Sequence, residues 1–196
     1  IIETDSYRLK QTKNETGRFP PLTDEETEKV FNYYRNYKDG YYYLFLSHIY
    51  YTCIRPGELH RLKFEYFNFK DRTIFVPWYS SKNGLSSYVQ MLEPLYNALI
   101  EKGYDKQPGH LYVFGNYCKP SAEQYSGKYA SDTWDTHRPK IGLPKGKMQY
   151  GLKHTFNKNF VEQNKANIDW EWLRRHNRHA TVQQTQDYIS ELTAYF

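Results

Sequence analysis

The chain has 196 residues, 27 Lys and Arg against 22 Asp and Glu, a formal charge of +5 and an isoelectric point near 8.9. That length supports one sizeable core and does not demand two domains. No apolar run reaches the length of a membrane span, and the opening Ile1-Ile2-Glu3-Thr4-Asp5 lacks the charged-then-apolar order of a signal peptide. Cys53 and Cys118 form neither a disulfide framework nor a metal-binding pattern, which is the usage of a reducing, intracellular setting and implies no metal or cofactor.

The charge is unevenly placed. From Thr136 to Val161 the basic residues Arg138, Lys140, Lys145, Lys147, Lys153 and Lys158 stand without a single Asp or Glu, so this window accounts for more than the whole net charge. A run of this kind is often only a solvated loop. With aromatic residues at 18% of the chain, phosphate contacts are the competing reading.

The chain starts on Ile1 rather than Met, and residues 1–19, of mixed charge and little periodicity, read as a linker entering the domain. Pro20-Pro21 ends it. Thr23-Asp24-Glu25-Glu26 is a capping box, predicting a helix to about Tyr37 that breaks at Lys38-Asp39-Gly40. Tyr41 to Thr52 is almost wholly apolar and aromatic and of helical length, as a buried central helix requires.

Arg55 follows, held between the end of that helix and Pro56, a good first residue for the next one. An ordinary helix-terminal ion pair with Glu58 competes with a functional role for this arginine. The helix is expected to close across Leu62 to Asp71. Thr73–Trp78 and Ser86–Met91 read as two strands, with Lys82 on the turn-rich connection between them. Glu93-Pro94 opens a helix to about Lys102, and a loop rich in Gly, Pro, Ser and Tyr follows, with one apolar piece, Leu111–Phe114.

Helical pattern returns from Lys128 to Arg138, from Gln149 to about Asn164, near Ile168 to His176, and from Thr181 to Tyr188. The last stretch, His176 to Tyr188, carries basic and imidazole donors into a short helix ending on a tyrosine. A phenol with a pKa near ~10 is a poor nucleophile at neutral pH, so a catalytic Tyr188 needs cations around the group it attacks. Together the segments predict a mainly α fold with a small antiparallel β-sheet, an α+β architecture.

In this order the segments resemble the catalytic domain of the tyrosine recombinases, the phage-integrase family. Thr52-Cys53-Ile54-Arg55-Pro56-Gly57-Glu58-Leu59 stands where that family carries T-G-x-R-x-x-E-L, Lys82 where it carries a hairpin lysine, and Tyr150-Gly151-Leu152-Lys153-His154-Thr155-Phe156 where it carries H-x-L-R-H-T-F. His179 precedes Tyr188 by the family's spacing of nine residues. Three positions depart: Tyr150 for His, Lys153 for Arg, and Arg178 for the Gly before His179.

The resemblance implies the DNA breaking-rejoining fold over residues 20–196 and a site-specific recombinase or integrase. Its tyrosine, here Tyr188, attacks a phosphodiester of double-stranded DNA and forms a 3′-phosphotyrosyl bond. Arg55, Lys153 and His179 would meet the phosphate, Lys82 would protonate the leaving 5′-oxygen, and Tyr150 would donate a hydrogen bond. Glu58 and His154 would support them, and Arg138, Lys140, Lys145, Lys147, Lys158 and Arg178 would bind DNA.

The same resemblance implies a tetramer of protomers on DNA for the full-length protein. It also implies no membrane, and a cytoplasmic, nucleoid-associated location in a bacterium or phage-infected cell. Two alternatives stay open: a recombinase-like DNA-binding protein that has lost cleavage through Tyr150 and Lys153, and a type IB topoisomerase, which shares the fold and the chemistry.

Overall fold

The computed structural model describes residues 19–82 and 84–192. The expected linker, apart from Phe19, lies outside the described residues, as do Asn83 and Tyr195.

The first helix, α1 (Asp24–Arg35), starts at the capping box: Thr23 Oγ1 accepts from Glu26 N at 3.1 Å and Glu26 Oε2 accepts from Thr23 N at 2.8 Å. Helix α2 (Tyr41–Thr52) leaves a left-handed Gly40 and buries Leu44, Phe45, Leu46 and Ile49 completely or nearly so. Each such side chain contributes roughly 1.5–3 kcal/mol through burial, which makes α2 the axis of the core. Helices α1, α4 (Glu93–Glu101) and α6 (Gly151–Gln163) pack against it.

Only one short turn, α3 (Pro56–Leu59), follows Arg55, so the helix expected to close across Leu62 to Asp71 is not formed. The backbone there is taken by tertiary pairing: Phe64 N donates to Leu111 O, Glu65 N to Gly109 O, and Val113 N to Leu62 O. Leu62, Phe64 and Phe67 turn into the core on this path. A short strand, β1 (Phe67–Asn68), then joins β2 (Thr73–Val76) and β3 (Ser87–Gln90) in an antiparallel sheet ordered β1-β2-β3, with Ile74 opposite Val89 and Phe67. Ile74, Val76 and Val89 face inward, which fixes the register and sends the 77–86 connection, with Lys82, out of the sheet.

Helix α5 (Lys128–Ile141) is capped by left-handed Gly142. Within α6 everything from Gly151 to Asn157 is buried. A glycine is needed at 151 because a Cβ there would lie 2.7 Å from Pro20 O. The last two helices, α7 (Trp170–Asn177) and α8 (Val182–Leu192), close a smaller apolar cluster of Val161, Leu173, Tyr188, Ile189 and Leu192 against α6. Among the described residues no helix is long and apolar enough to cross a membrane.

Candidate active site

Three chain reversals meet around one carboxylate. Cys53 adopts φ 55°, which turns the chain out of α2 and sets Arg55, in extended conformation, at the start of α3. Glu58, 3% exposed, accepts from Arg55 N at 3.0 Å, Arg55 Nη1 at 3.2 Å, Lys82 N at 2.9 Å and Arg178 Nη2. Burial alone would raise this carboxyl; the Arg178 charge and hydrogen bond, with the two backbone donors, outweigh it and hold the group at about 2. Glu58 therefore stays ionised at neutral pH, fixing Arg55 and anchoring the hairpin backbone at Lys82.

Tyr150 at the N-cap of α6 is followed on the helix by Lys153 and His154, three and four residues on, and by Asn157 one turn further, which places them along one face. Lys153 is 2% exposed. Desolvation foremost, then the Arg55 and Arg178 charges, pull its ammonium down to about 8 against the opposing pull of Cys53 and Glu58. Asn157 Nδ2 donates to Lys153 O at 2.8 Å and to Cys53 Sγ at 3.3 Å, and Asn157 and Asn177 bond each other, tying α6 to α7. Burial raises the Tyr150 phenol, while the charge and hydrogen bond of Arg55 act the other way, so Tyr150 is a protonated partner of Arg55 at neutral pH.

The third reversal is Arg178, with φ 59°, at the end of α7. It swings His179 back so that Arg174 Nη1 donates to His179 O at 2.9 Å and His179 Nδ1 lies 3.0 Å from Thr185 Oγ1 on α8. Tyr188 then falls one turn further along α8. Its ring meets His179 edge-on at 5.4 Å, its centroid is 5.9 Å from Lys153 Nζ, and its hydroxyl is 2.6 Å from His154 Nδ1.

The structure thus brings together Arg55, Glu58, Tyr150, Lys153, His154, Arg178, His179 and Tyr188 from four separate segments. Lys153 lies beneath the Tyr188 ring rather than on an open surface, and Tyr188 is itself buried. Lys82 contributes its amide to the cluster while the residue remains exposed. A cleft of about 780 Å³ opens beside the cluster, with Ser81, Leu85 and Tyr88 of the hairpin facing Arg174, Arg175 and His179.

His176, which opens the imidazole stretch, belongs to the packing. It stacks on Trp172 at 4.6 Å, and burial holds it neutral, at about 3. The expected DNA contacts are dispersed. Arg138 Nη1 donates to Lys145 O at 2.7 Å, Lys147 Nζ donates to Pro21 O at 2.6 Å and pairs with Glu26, and Lys158 pairs with Glu162. Lys140 and Lys145 are exposed, and Arg178 is spent on Glu58. Among the described residues no group of three His, Cys, Asp or Glu side chains is placed to hold a metal.

The fold is that of the DNA breaking-rejoining catalytic domains, and the chain belongs to the phage integrase family, whose model matches residues 9–194. Among solved structures, a Tn1549 transposon integrase in complex with a circular intermediate DNA is similar at TM-score 0.68 and 16% identity, over 90% of this chain and 63% of that one. XerA recombinase is similar at TM-score 0.64 and 22% identity, over 86% and 59%. The catalytic domain of bacteriophage HP1 integrase is similar at TM-score 0.60 and 16% identity, over 88% of each chain. The chain therefore spans about three fifths of the Tn1549 and XerA chains. A search of curated proteins found no significant sequence match.

Sequence reasoning passed over Cys53, Asn157, Arg174, Asn177 and Thr185. Asn157 was findable, since it stands one turn beyond Lys153 on the same face. Asn177 and Arg174 carry no such signal, because their roles depend on how α7 lies against α6 and on the reversal at Arg178.

Proposed function

We propose that residues 20–196 are the catalytic domain of a site-specific DNA recombinase, an integrase that cuts and rejoins double-stranded DNA through a 3′-phosphotyrosyl bond. Residues 1–19 would link it to an N-terminal DNA-binding domain. The observation that carries the reading is Tyr188, nine residues after His179, with its hydroxyl held by His154 and its ring against His179 and Lys153.

The Tyr188 oxygen attacks phosphorus, the P–O5′ bond breaks, and the departing 5′-oxygen takes a proton from Lys82. Arg55, Lys153 and His179 donate to the non-bridging oxygens as negative charge develops on them. Donors held in place before the reaction need no reorganisation during it, and each is worth on the order of a hundredfold in rate. Arg55 is held by Glu58 and Tyr150, so its fork is fixed before DNA arrives. Bond energy is conserved in the phosphotyrosyl linkage, and a 5′-hydroxyl reverses the step to rejoin a strand.

The arginine-walled cleft is where the duplex backbone enters, with Arg175 the exposed charge on its wall. The full-length protein would act as a tetramer on DNA in the cytoplasm. The burial of Lys153 beneath Tyr188 favours a second reading, a recombinase-like protein that binds DNA without cutting it.

Incubation with a nicked suicide duplex carrying the element's junction sequence separates the readings. A covalent protein–DNA band supports the enzyme, and tight binding with no band supports the binder. Dependence of strand exchange on two partner sites then distinguishes a recombinase from a topoisomerase.

A further inference from the structure

We propose that His154 is the general base of the cleavage step, accepting the Tyr188 proton at Nδ1 as the phenol oxygen bonds to phosphorus. This rests on the strand-cleavage reading above. The chain has Tyr150 where the family's box has its histidine, and a phenol kept protonated beside Arg55 cannot take that proton near neutral pH. The imidazole set against the nucleophile is one turn further along the same helix.

The geometry is that of a poised acceptor. Nδ1 lies 2.6 Å from the Tyr188 oxygen, within the range a general base needs. The ring is 2% exposed and is held on α6 by the Tyr150 ring packed edge-on at 5.0 Å, so it does not have to be found by a swinging side chain. The titratable and charged groups around this centre include Tyr150 and Lys153 of its own segment, Tyr188 on α8 and His179 on the turn before α8, with Arg55, Glu58 and Arg178 acting on Tyr150 or Lys153 from α3 and the end of α7.

His179 is committed differently. Its Nδ1 faces Thr185 Oγ1 and its ring meets Tyr188 by an edge, which leaves it the role of phosphate donor.

In the forward step the Tyr188 O–H bond breaks, the O–P bond forms, the proton goes to His154 Nδ1 and the ring becomes an imidazolium. The P–O5′ bond breaks and O5′ takes its proton from Lys82. Rejoining runs the same transfers backwards: His154 returns the proton to Tyr188 as the phenol leaves.

A substrate whose scissile 5′-oxygen is replaced by sulfur separates the two ends of the reaction, because a thiolate leaves without a proton. Covalent adduct formation is followed as a function of pH on the ordinary and the sulfur substrate, for the parent chain, His154→Gln, Lys82→Ala and His179→Gln. The expected result is a loss of about a hundredfold or more in His154→Gln on both substrates, with DNA binding unchanged. Lys82→Ala is rescued by sulfur and His154→Gln is not.

The parent rate falls as pH drops and the imidazole takes up a proton, and this limb persists at a lower rate in His179→Gln. His154→Gln activity within threefold of the parent, a gain in activity, or rescue by sulfur would overturn the assignment. Should His154→Gln lose DNA binding, the parent profile decides, and absence of the acid limb overturns it. A parent chain that forms no adduct on either substrate at any pH sinks the cleavage reading and the base with it, an outcome distinct from a parent that cuts and a His154→Gln that cuts equally well.

Discussion

Arg178 and Glu58, 120 residues apart in sequence, form a buried ion pair that joins the α7–α8 turn to the start of α3. Arg178 does this from a left-handed backbone conformation that suits glycine, and glycine is what the family motif carries there. The strain of an arginine at such a position is roughly 1–2 kcal/mol. Removing one partner of a buried pair costs roughly 3–5 kcal/mol, so the pair wins.

Arg178→Gly, although it restores the family residue, is therefore expected to destabilise the fold by about 1–4 kcal/mol. At this chain length that lowers the thermal midpoint by roughly 10 °C, which calorimetry would register. Glu58 supplies the pH dependence. Its folded value, about 2, lies below the ordinary 4.5, so its stabilisation is complete above 4.5 and is lost as pH falls toward 2. That acid-sensitive portion should shrink in Arg178→Gly, and an unchanged acid profile would contradict the pairing.

Lys153 titrates in the opposite direction. Burial lowers its ammonium from 10.5 to about 8, so the charge that the proposed mechanism sets against the phosphate is present below 8 and is lost as pH rises through it. Adduct formation under conditions that report the free enzyme should decline above about pH 8 in the parent. Lys153→Arg, which cannot deprotonate in this range, should lose that decline while staying within about tenfold of the parent near pH 7. Lys153→Ala should cost about a hundredfold below about pH 8, with the gap to the parent narrowing as pH rises above it. Because the folded value is depressed, the buried ammonium also weakens the fold while charged, and stability should rise between pH 8 and 10.5.

Tyr150→Phe keeps the ring packed against His154 and removes the hydroxyl that partners Arg55. A hydrogen bond to a charged group is worth roughly 1.5–3 kcal/mol. Much of that is recovered because Glu58 still holds the guanidinium. The expected loss in adduct formation is about tenfold, from a less rigid Arg55, with little change in stability. A loss equal to that of Tyr188→Phe would mean that Tyr150 takes part in the chemistry directly.

Much of the architecture was legible because it is written locally. Thr23 and Glu26 announce a helix start within four residues, the apolar run of α2 can only be a buried helix, and the alternation around Ile74 and Val89 marks the hairpin. The segment from Leu62 to Asp71 departs from its helical pattern because its backbone is claimed by Gly109, Leu111 and Val113, partners that no local pattern names. The same limit applies in the site. Spacing places Tyr150, Lys153 and His154 on one face of α6, yet it says nothing of what meets that face. That Lys153 is buried beneath Tyr188, that His154 holds the Tyr188 hydroxyl, and that Arg178 pairs with Glu58 all follow from how α7 and α8 close over α6.

The central claim is that Tyr188 is the nucleophile, and mapping the covalent adduct tests it most directly. The protein is trapped on a nicked duplex of its own junction, digested, and the nucleotide-bearing peptide identified by mass spectrometry, with Tyr188→Phe run in parallel. The account predicts a single phosphotyrosyl peptide containing Tyr188. It also predicts no adduct in Tyr188→Phe, whose ring packing against His179 and the α8 cluster is kept and whose DNA affinity is nearly unchanged. An adduct on Tyr195 or on any other residue, or one that survives Tyr188→Phe, would contradict it.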